Sequence, residues 1–171
     1  MSRAPTLSLP DGPIADPETF RDACARFTSG VVIATVCDQA GSPHGLTISS
    51  FTPVSLRPPL ILICVDYASY DLEHFRSNSH FAINVLTALQ RDLSVRFSGL
   101  REGRFDGLDW YSGSTGAPLL SGALAVLECR VKEIIEAGDH AILIGNVVRA
   151  QAHEGQPLVY FNRNYRSIIP G

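Results

Sequence analysis

The sequence has 171 residues, 45% of them hydrophobic, and 14 basic against 17 acidic side chains give a formal charge of -3. That length and apolar content suffice for one core and demand no second domain, and the near balance of charge leaves no basic footprint for nucleic acid or an anionic membrane surface. Cys24, Cys37, Cys64 and Cys129 are far apart in apolar patterns without a C-x-x-C, which reads as buried free thiols rather than a disulfide framework or a zinc site.

Residues 1–17, MSRAPTLSLPDGPIADP, hold four prolines and no regular period, so they read as a flexible tail ahead of a single domain over 18–171. Asp16 as N-cap and Pro17 at the first helical position, with Phe20, Ala23, Cys24 and Phe27 at helical spacing, predict a short helix ending near Ser29-Gly30. From there the pattern turns to strands: VVIATVC (31–37), a DQAGSP turn, HGLTISSFTPVSL (44–56) and LILICVD (60–66). DLEHFRSN (71–78) predicts one or two helical turns, HFAINVL (80–86) a strand, and LQRDLSVRFSG (89–99) a second helix closed by Gly99. Residues 101–122 read as loop, and strands return in ALAVLECRVKEIIEAG, HAILIGNVVRAQAH and PLVYF.

Strands in meander order, few helices and no G-x-G-x-x-G favour an antiparallel barrel over a doubly wound parallel sheet. The apolar run Leu60–Val65 is far short of the ~20 residues of a membrane helix, and the N-terminus lacks the apolar core of a signal peptide, so a cytoplasmic protein is expected.

Several stretches have the composition of a binding site. In GLTISSFTPVSLRPP (45–59), Thr47, Ser49, Ser50, Thr52 and Ser55 crowd one segment with small hydroxyls while Pro53, Pro58 and Pro59 prevent regular pairing. Irregular backbone with small side chains can approach a flat polar heterocycle closely; a solvated edge strand has the same composition. DYASYD (66–71) joins a strand to a helix, where Ser69 and backbone N–H groups suit a phosphate, or simply cap the helix. Arg104 suits a phosphate or solvent equally well. His140 follows Gly138 and Asp139 at the mouth of a strand, and a lone histidine there is more often structural than functional. No pair of histidines has metal-ligand spacing, and SGSTG (112–116) lacks the flanking strand and helix of a nucleophile elbow. Near the C-terminus, Tyr160, Phe161, Arg163, Tyr165 and Arg166 form an aromatic and basic cluster fit either to stack on a ring or to pack a terminal strand.

In this order, FTSGVVIATV (27–36), GLTISSFTPVSLRPPLILICVD (45–66), HFAINVL (80–86), GDHAILIG (138–145) and PLVYFNRNYRSI (157–168) resemble the short-chain flavin reductase family. Its members are reductase components of two-component flavin-dependent monooxygenases. The resemblance spans residues 19–168 and implies a mainly β, Greek-key, FMN-binding split barrel with a few flanking helices, assembled as a homodimer. It implies that Thr47, Ile48, Ser49, Ser50, Phe51, Thr52 and Ser55 line the isoalloxazine, that Ala68 and Ser69 approach the flavin phosphate, and that backbone at Phe81 and Ala82 completes the site, with Arg104 a further cofactor-binding candidate. His140, Tyr160, Phe161, Asn162 and Arg163 match the side where reduced nicotinamide docks. Two positions depart from the family pattern: Ser49 stands where Asn is frequent, and Arg163 where Gly is frequent.

The activity implied is hydride transfer from NADH or NADPH to FMN or FAD, with reduced flavin passed to a separate oxygenase. The cofactors carry such chemistry, so no residue is an obligatory acid or base and no metal is expected. Two alternatives share the residues: a flavoprotein reducing another acceptor, such as a ferric chelate or a corrinoid, and a non-catalytic flavin-binding module.

Overall fold

The computed structural model describes residues 15–168, so residues 1–14 of the expected tail lie outside the described range. Helix α1 (Pro17–Cys24) begins as expected: Asp16 Oδ1 accepts from the backbone N–H groups of Glu18 at 3.1 Å and Thr19 at 3.0 Å. It ends at Cys24, short of Ser29-Gly30, and buries none of its own side chains. With no apolar face against a core, α1 lacks the packing that would extend so short a helix.

The body is a seven-stranded antiparallel sheet built from β2 (Val32–Cys37), β3 (Pro43–Ile48), β4 (Thr52–Leu56), β5 (Pro59–Asp66), β6 (His80–Val85), β9 (Ala125–Ala137) and β10 (His140–Ala152). Its spatial order is β3-β2-β6-β9-β10-β5-β4. Helix α2 (Leu72–Ser77) follows β5; a 3₁₀ turn and α3 (Arg91–Gly99) follow β6. Gly99 is the last residue of α3 and Leu100, in extended conformation, its cap. A small hairpin, β7 (Trp110–Ser112) with β8 (Pro118–Leu120), occupies the segment expected to be loop. A third sheet joins β1 (Ser29–Gly30) to β11 (Val159–Phe161) and β12 (Asn164–Arg166).

The expected strand over 44–56 is divided. β3 ends at Ile48, the chain crosses by residues 49–51, and β4 starts at Thr52. The edge strands β3 and β4 are not hydrogen-bonded to each other, so the ladder does not close into a barrel among the described residues. The register Thr52↔Leu62, continued by two residues, sets Ser50 opposite Cys64. There the Ser50 hydroxyl accepts from Cys64 N–H at 2.9 Å and donates to its carbonyl at 3.2 Å, in place of a strand partner.

Strand β2 is buried on both faces, and its alternation splits the core in two. Val32, Ala34 and Val36 point to a cluster with Phe75, Phe81, Ile63 and Leu143, whereas Val31 and Ile33 pack with Leu86, Phe97, Leu120 and Leu158. Between them Asn84 is fully buried and satisfied: its amide donates to Ile33 O and Thr35 Oγ1, and its carbonyl accepts from Leu120 N–H at 2.8 Å. β10 crosses this core at Gly145, where a Cβ would lie 2.6 Å from the Phe81 ring.

Candidate functional site

Two adjoining cavities form a groove between β3, the turn after β5, α3 and the C-terminal hairpin. The first, about 360 Å³, is lined by Thr47, Ala68, Ser69, Ser98, Arg101 and Arg104 among others. The second, about 210 Å³, is lined by Val31, Thr47, Ser49, Ser94, Ser98, Tyr160 and Tyr165. Thr47 and Ser98 belong to both, so the groove runs past them from a basic end to an aromatic end. Together the cavities reach the size of small-molecule sites, roughly 300–1,000 Å³.

At the centre, Thr47 Oγ1 donates to the carbonyl of Ser94 at 2.7 Å, fixing β3 against α3 and leaving the hydroxyl oxygen free to accept. The aromatic end is ordered from the same helix. Ser94 Oγ and Tyr165 OH lie 2.8 Å apart, Arg91 covers the Tyr165 ring at 5.4 Å, and Tyr160 meets that ring edge-on at 5.4 Å.

At the basic end, the turn after β5 does not present a row of free amides. Ala68 N–H donates to Asp66 Oδ1 at 2.7 Å, Ser69 N–H to Asp66 O at 2.9 Å, and Asp71 N–H to Ser69 Oγ at 3.3 Å. What remains is side-chain chemistry: the Ser69 hydroxyl proton and the guanidinium groups of Arg101 and Arg104. Arg101 sits over the Tyr70 ring at 4.0 Å and donates to its hydroxyl. Arg104 is largely buried and donates to the carbonyls of Gly45 and Leu100 and to Asp71 Oδ2.

The structure therefore brings Thr47, Ser49, Ala68, Ser69, Arg104 and Tyr160 to one groove. Others of the expected residues stand elsewhere. Ile48 is in the core, Phe51 packs against it, and Thr52 and Ser55 belong to edge strand β4. Ser50 is engaged with Cys64. Phe81 and Ala82 are fully buried in β6, with Phe81 paired to Cys129 and Ala82 paired to both Thr35 and Glu128, away from the residues lining the groove.

The expected nicotinamide residues are spread over two elements. His140 opens β10 opposite Asp66, after a two-residue turn in which Gly138 has φ 63. That turn is pinned to the basic end, because Asp139 O accepts from Tyr67 N–H at 3.0 Å. The His140 ring meets Asp139 Oδ1 at 2.7 Å, and this hydrogen bond holds the Asp139 carboxyl below its ordinary range. Phe161 pairs with Asn164 across the β11–β12 turn, whose two residues Asn162 and Arg163 have φ 49 and 60. Arg163 donates to Asp22 of α1 at 2.6 Å, and Asn162 N–H to Ala25 O at 2.9 Å. A glycine at position 163 would adopt this backbone freely.

Sequence reasoning missed Ser94, Ser98, Arg101 and Asp71. The helical period marks the apolar face of α3, and its serines gave no separate signal; Asp71 read only as a cap. The residues present suit a flavin nucleotide: a hydroxyl-lined middle, cationic groups at one end and an aromatic pair at the other.

Among the described residues no helix is long and apolar enough to cross a membrane. Comparison with known proteins gives consistent relatives. The reductase subunit Stc3 of stachydrine N-demethylase from Rhizobium meliloti is 38% identical over 152 residues, covering 89% of this chain and 66% of that protein. The FMN reductase (NADH) SmoA of Agrobacterium fabrum is 44% identical over 143 residues, 83% of this chain and 80% of that one. Among solved structures, the NADH:FAD oxidoreductase SgcE6 of Streptomyces globisporus superimposes with a TM-score of 0.86 at 34% identity, covering 94% of this chain and 100% of that one. Some relatives are longer: the chain spans 43% of one Rhizobium meliloti protein that is 46% identical to it. The profile of the family described as flavin reductase like domain matches residues 24–168, and the chain belongs to that family.

Proposed function

We propose that the chain is an NAD(P)H-dependent flavin reductase that reduces FMN or FAD and releases the product to a separate oxygenase. The observation that carries this reading is the groove itself, with cationic and aromatic ends joined through Thr47, in a chain of this family. The reading includes the finer architecture: a split barrel, its seam spanned by Ser50, assembled as a homodimer in the cytoplasm. The four unpaired cysteines, of which Cys129 is buried as expected but Cys24 is exposed on α1, fit a reducing compartment.

A bound flavin would supply the acceptor for hydride delivered by a reduced nicotinamide. The chain supplies position. Ser69 and Arg104 hold the phosphate end, Thr47 and Ser49 offer hydroxyls along the middle, and Tyr160 with Tyr165 bounds the far end where a second ring can lie against the first. The groove is open to solvent along its length, which suits a flavin that exchanges. His140, carried on a turn fixed to the basic end, steers the dinucleotide rather than moving a proton to a reacting atom. None of these roles requires a general base.

The test follows loss of reduced-nicotinamide absorbance when the purified chain is mixed with NADH or NADPH and with FMN, FAD or no added flavin. Turnover that depends on added flavin is expected. Turnover without added flavin, given a ferric chelate or a corrinoid, would replace this reading with a reductase of another acceptor. Flavin binding with no oxidation by any pair would leave a binding module.

A further inference from the structure

We infer that Asp71 is a positioning residue for the flavin phosphate, acting through Arg104; this rests on the reading of the groove as a flavin site. Asp71 occupies the N-cap of α2, where an aspartate ordinarily turns its carboxylate to the helix amides. It makes no such hydrogen bond. Instead Oδ2 accepts from Arg104 Nη1 and Oδ1 faces His44 Nδ1 at 3.7 Å, with the residue only 4% exposed. An acidic side chain that leaves its own helix uncapped and turns inward is committed to its partner.

Arg104 is held by Asp71 on one side and by the carbonyls of Gly45 and Leu100 on others, so its guanidinium has a single orientation against the first cavity, with Nη2 uncommitted among the described residues. The backbone N–H at position 71, which any residue there supplies, donates to Ser69 Oγ and leaves that hydroxyl proton free to donate into the groove. The Asp71 carboxylate thus sets the direction of one donor lining this wall, and the turn backbone that of the other. His44 completes the arrangement from the far side: its ring lies 3.3 Å from Asp38 and stacks on His74 at 3.7 Å, so the second oxygen of Asp71 is not free to rotate toward the amides.

A phosphate is the part of the ligand that this device recognises, so the test compares flavins that have one with a flavin that lacks it. Initial rates are measured on the full chain with saturating reduced nicotinamide and FMN, FAD or riboflavin as acceptor, for wild type and for Asp71→Asn. The variant should raise KM for FMN and FAD about tenfold to a hundredfold, the loss expected when charge-assisted hydrogen bonds are withdrawn, with kcat for each and kcat/KM for riboflavin changed less than about twofold. In an Arg104→Met background the same substitution should add little, because the two act as one unit. If Asp71→Asn does not fold, Asp71→Glu decides the matter: it keeps the charge, displaces the guanidinium by one methylene, and should show the same phosphate-specific loss. Equal losses for FMN and riboflavin, or no loss for either, would overturn the inference. A wild-type chain inactive with all three flavins would instead overturn the reductase reading.

Discussion

Gly145 sits where β10 crosses Phe81, and the substitution Gly145→Ala tests whether that ring belongs to a rigid core. The added Cβ would lie 2.6 Å from Phe81 Cζ, 3.0 Å from Cε1 and 3.1 Å from Cys129 Cβ, against 3.4–4 Å for ordinary contact. Phe81 is fully buried and meets Phe75 edge-on at 6.2 Å, so the ring has no open side to retreat into. Overpacking of this kind costs about 1–3 kcal/mol. For a chain of this size that is a fall in Tm of about 2–12 °C, at roughly 2–4 °C per kcal/mol. Thermal unfolding followed by circular dichroism at fixed protein concentration measures it. Phe81→Leu, destabilising alone, should recover part of the loss in the double variant, because the shorter side chain vacates the overlap. A Tm unchanged within about 1 °C in Gly145→Ala, or strictly additive losses in the double variant, would refute the packing argument.

Glu128 is buried, and burial pushes its carboxyl up, but the N–H and hydroxyl of Thr115, the hydroxyl of Ser114 and the charge of Arg149 outweigh it and leave the pKa below its ordinary value of 4.5. The stability it contributes is therefore present above the ordinary value and lost as pH falls through the folded one. The Tm difference between wild type and Glu128→Gln should narrow on acidification below that value; a difference independent of pH would contradict it. Arg163 adopts a left-handed φ of 60 at a cost of about 1 kcal/mol, so Arg163→Gly in an Asp22→Ala background, where the exposed ion pair is already gone, should raise Tm by about 2–4 °C. A fall would show that the turn is not strained. His140→Ala should raise KM for the nicotinamide severalfold with KM for flavin unchanged, measured with each substrate varied in turn; equal shifts in both would move His140 off the nicotinamide side.

The long strands were legible because alternation and apolar runs are local. β2, β5, β6, β9 and β10 lie where VVIATVC, LILICVD, HFAINVL and the two long C-terminal runs put them. The hairpin at 110–112 and 118–120 was not legible, since its Gly/Ser/Pro link reads as loop; Glu128 on β9 holds that link by bonding Ser114 and Thr115. β1 and β12 pair over two or three residues, too few for any period to register. Within the groove, hydroxyls concentrated in one proline-interrupted segment were a usable signal, and Thr47 and Ser49 do line it. Which hydroxyl faces the groove was not: Ser50, next in sequence, turns to Cys64 because the chain crosses over there. The Asp71–Arg104 and His44–His74 contacts join residues some thirty positions apart and exist only once β3, α2 and the loop after α3 meet.

The Ser50 hydroxyl also bears on colloidal behaviour. A strand that outruns its neighbour leaves an open N–H and C=O pair, which is a template on which a second chain can add a strand and start sheet growth. On β5 that pair belongs to Cys64, two residues past the end of the β4 ladder, and Ser50 occupies both positions at once. A single side chain therefore withdraws that stretch of template without adding a strand, and leaves the groove beside it open to small molecules.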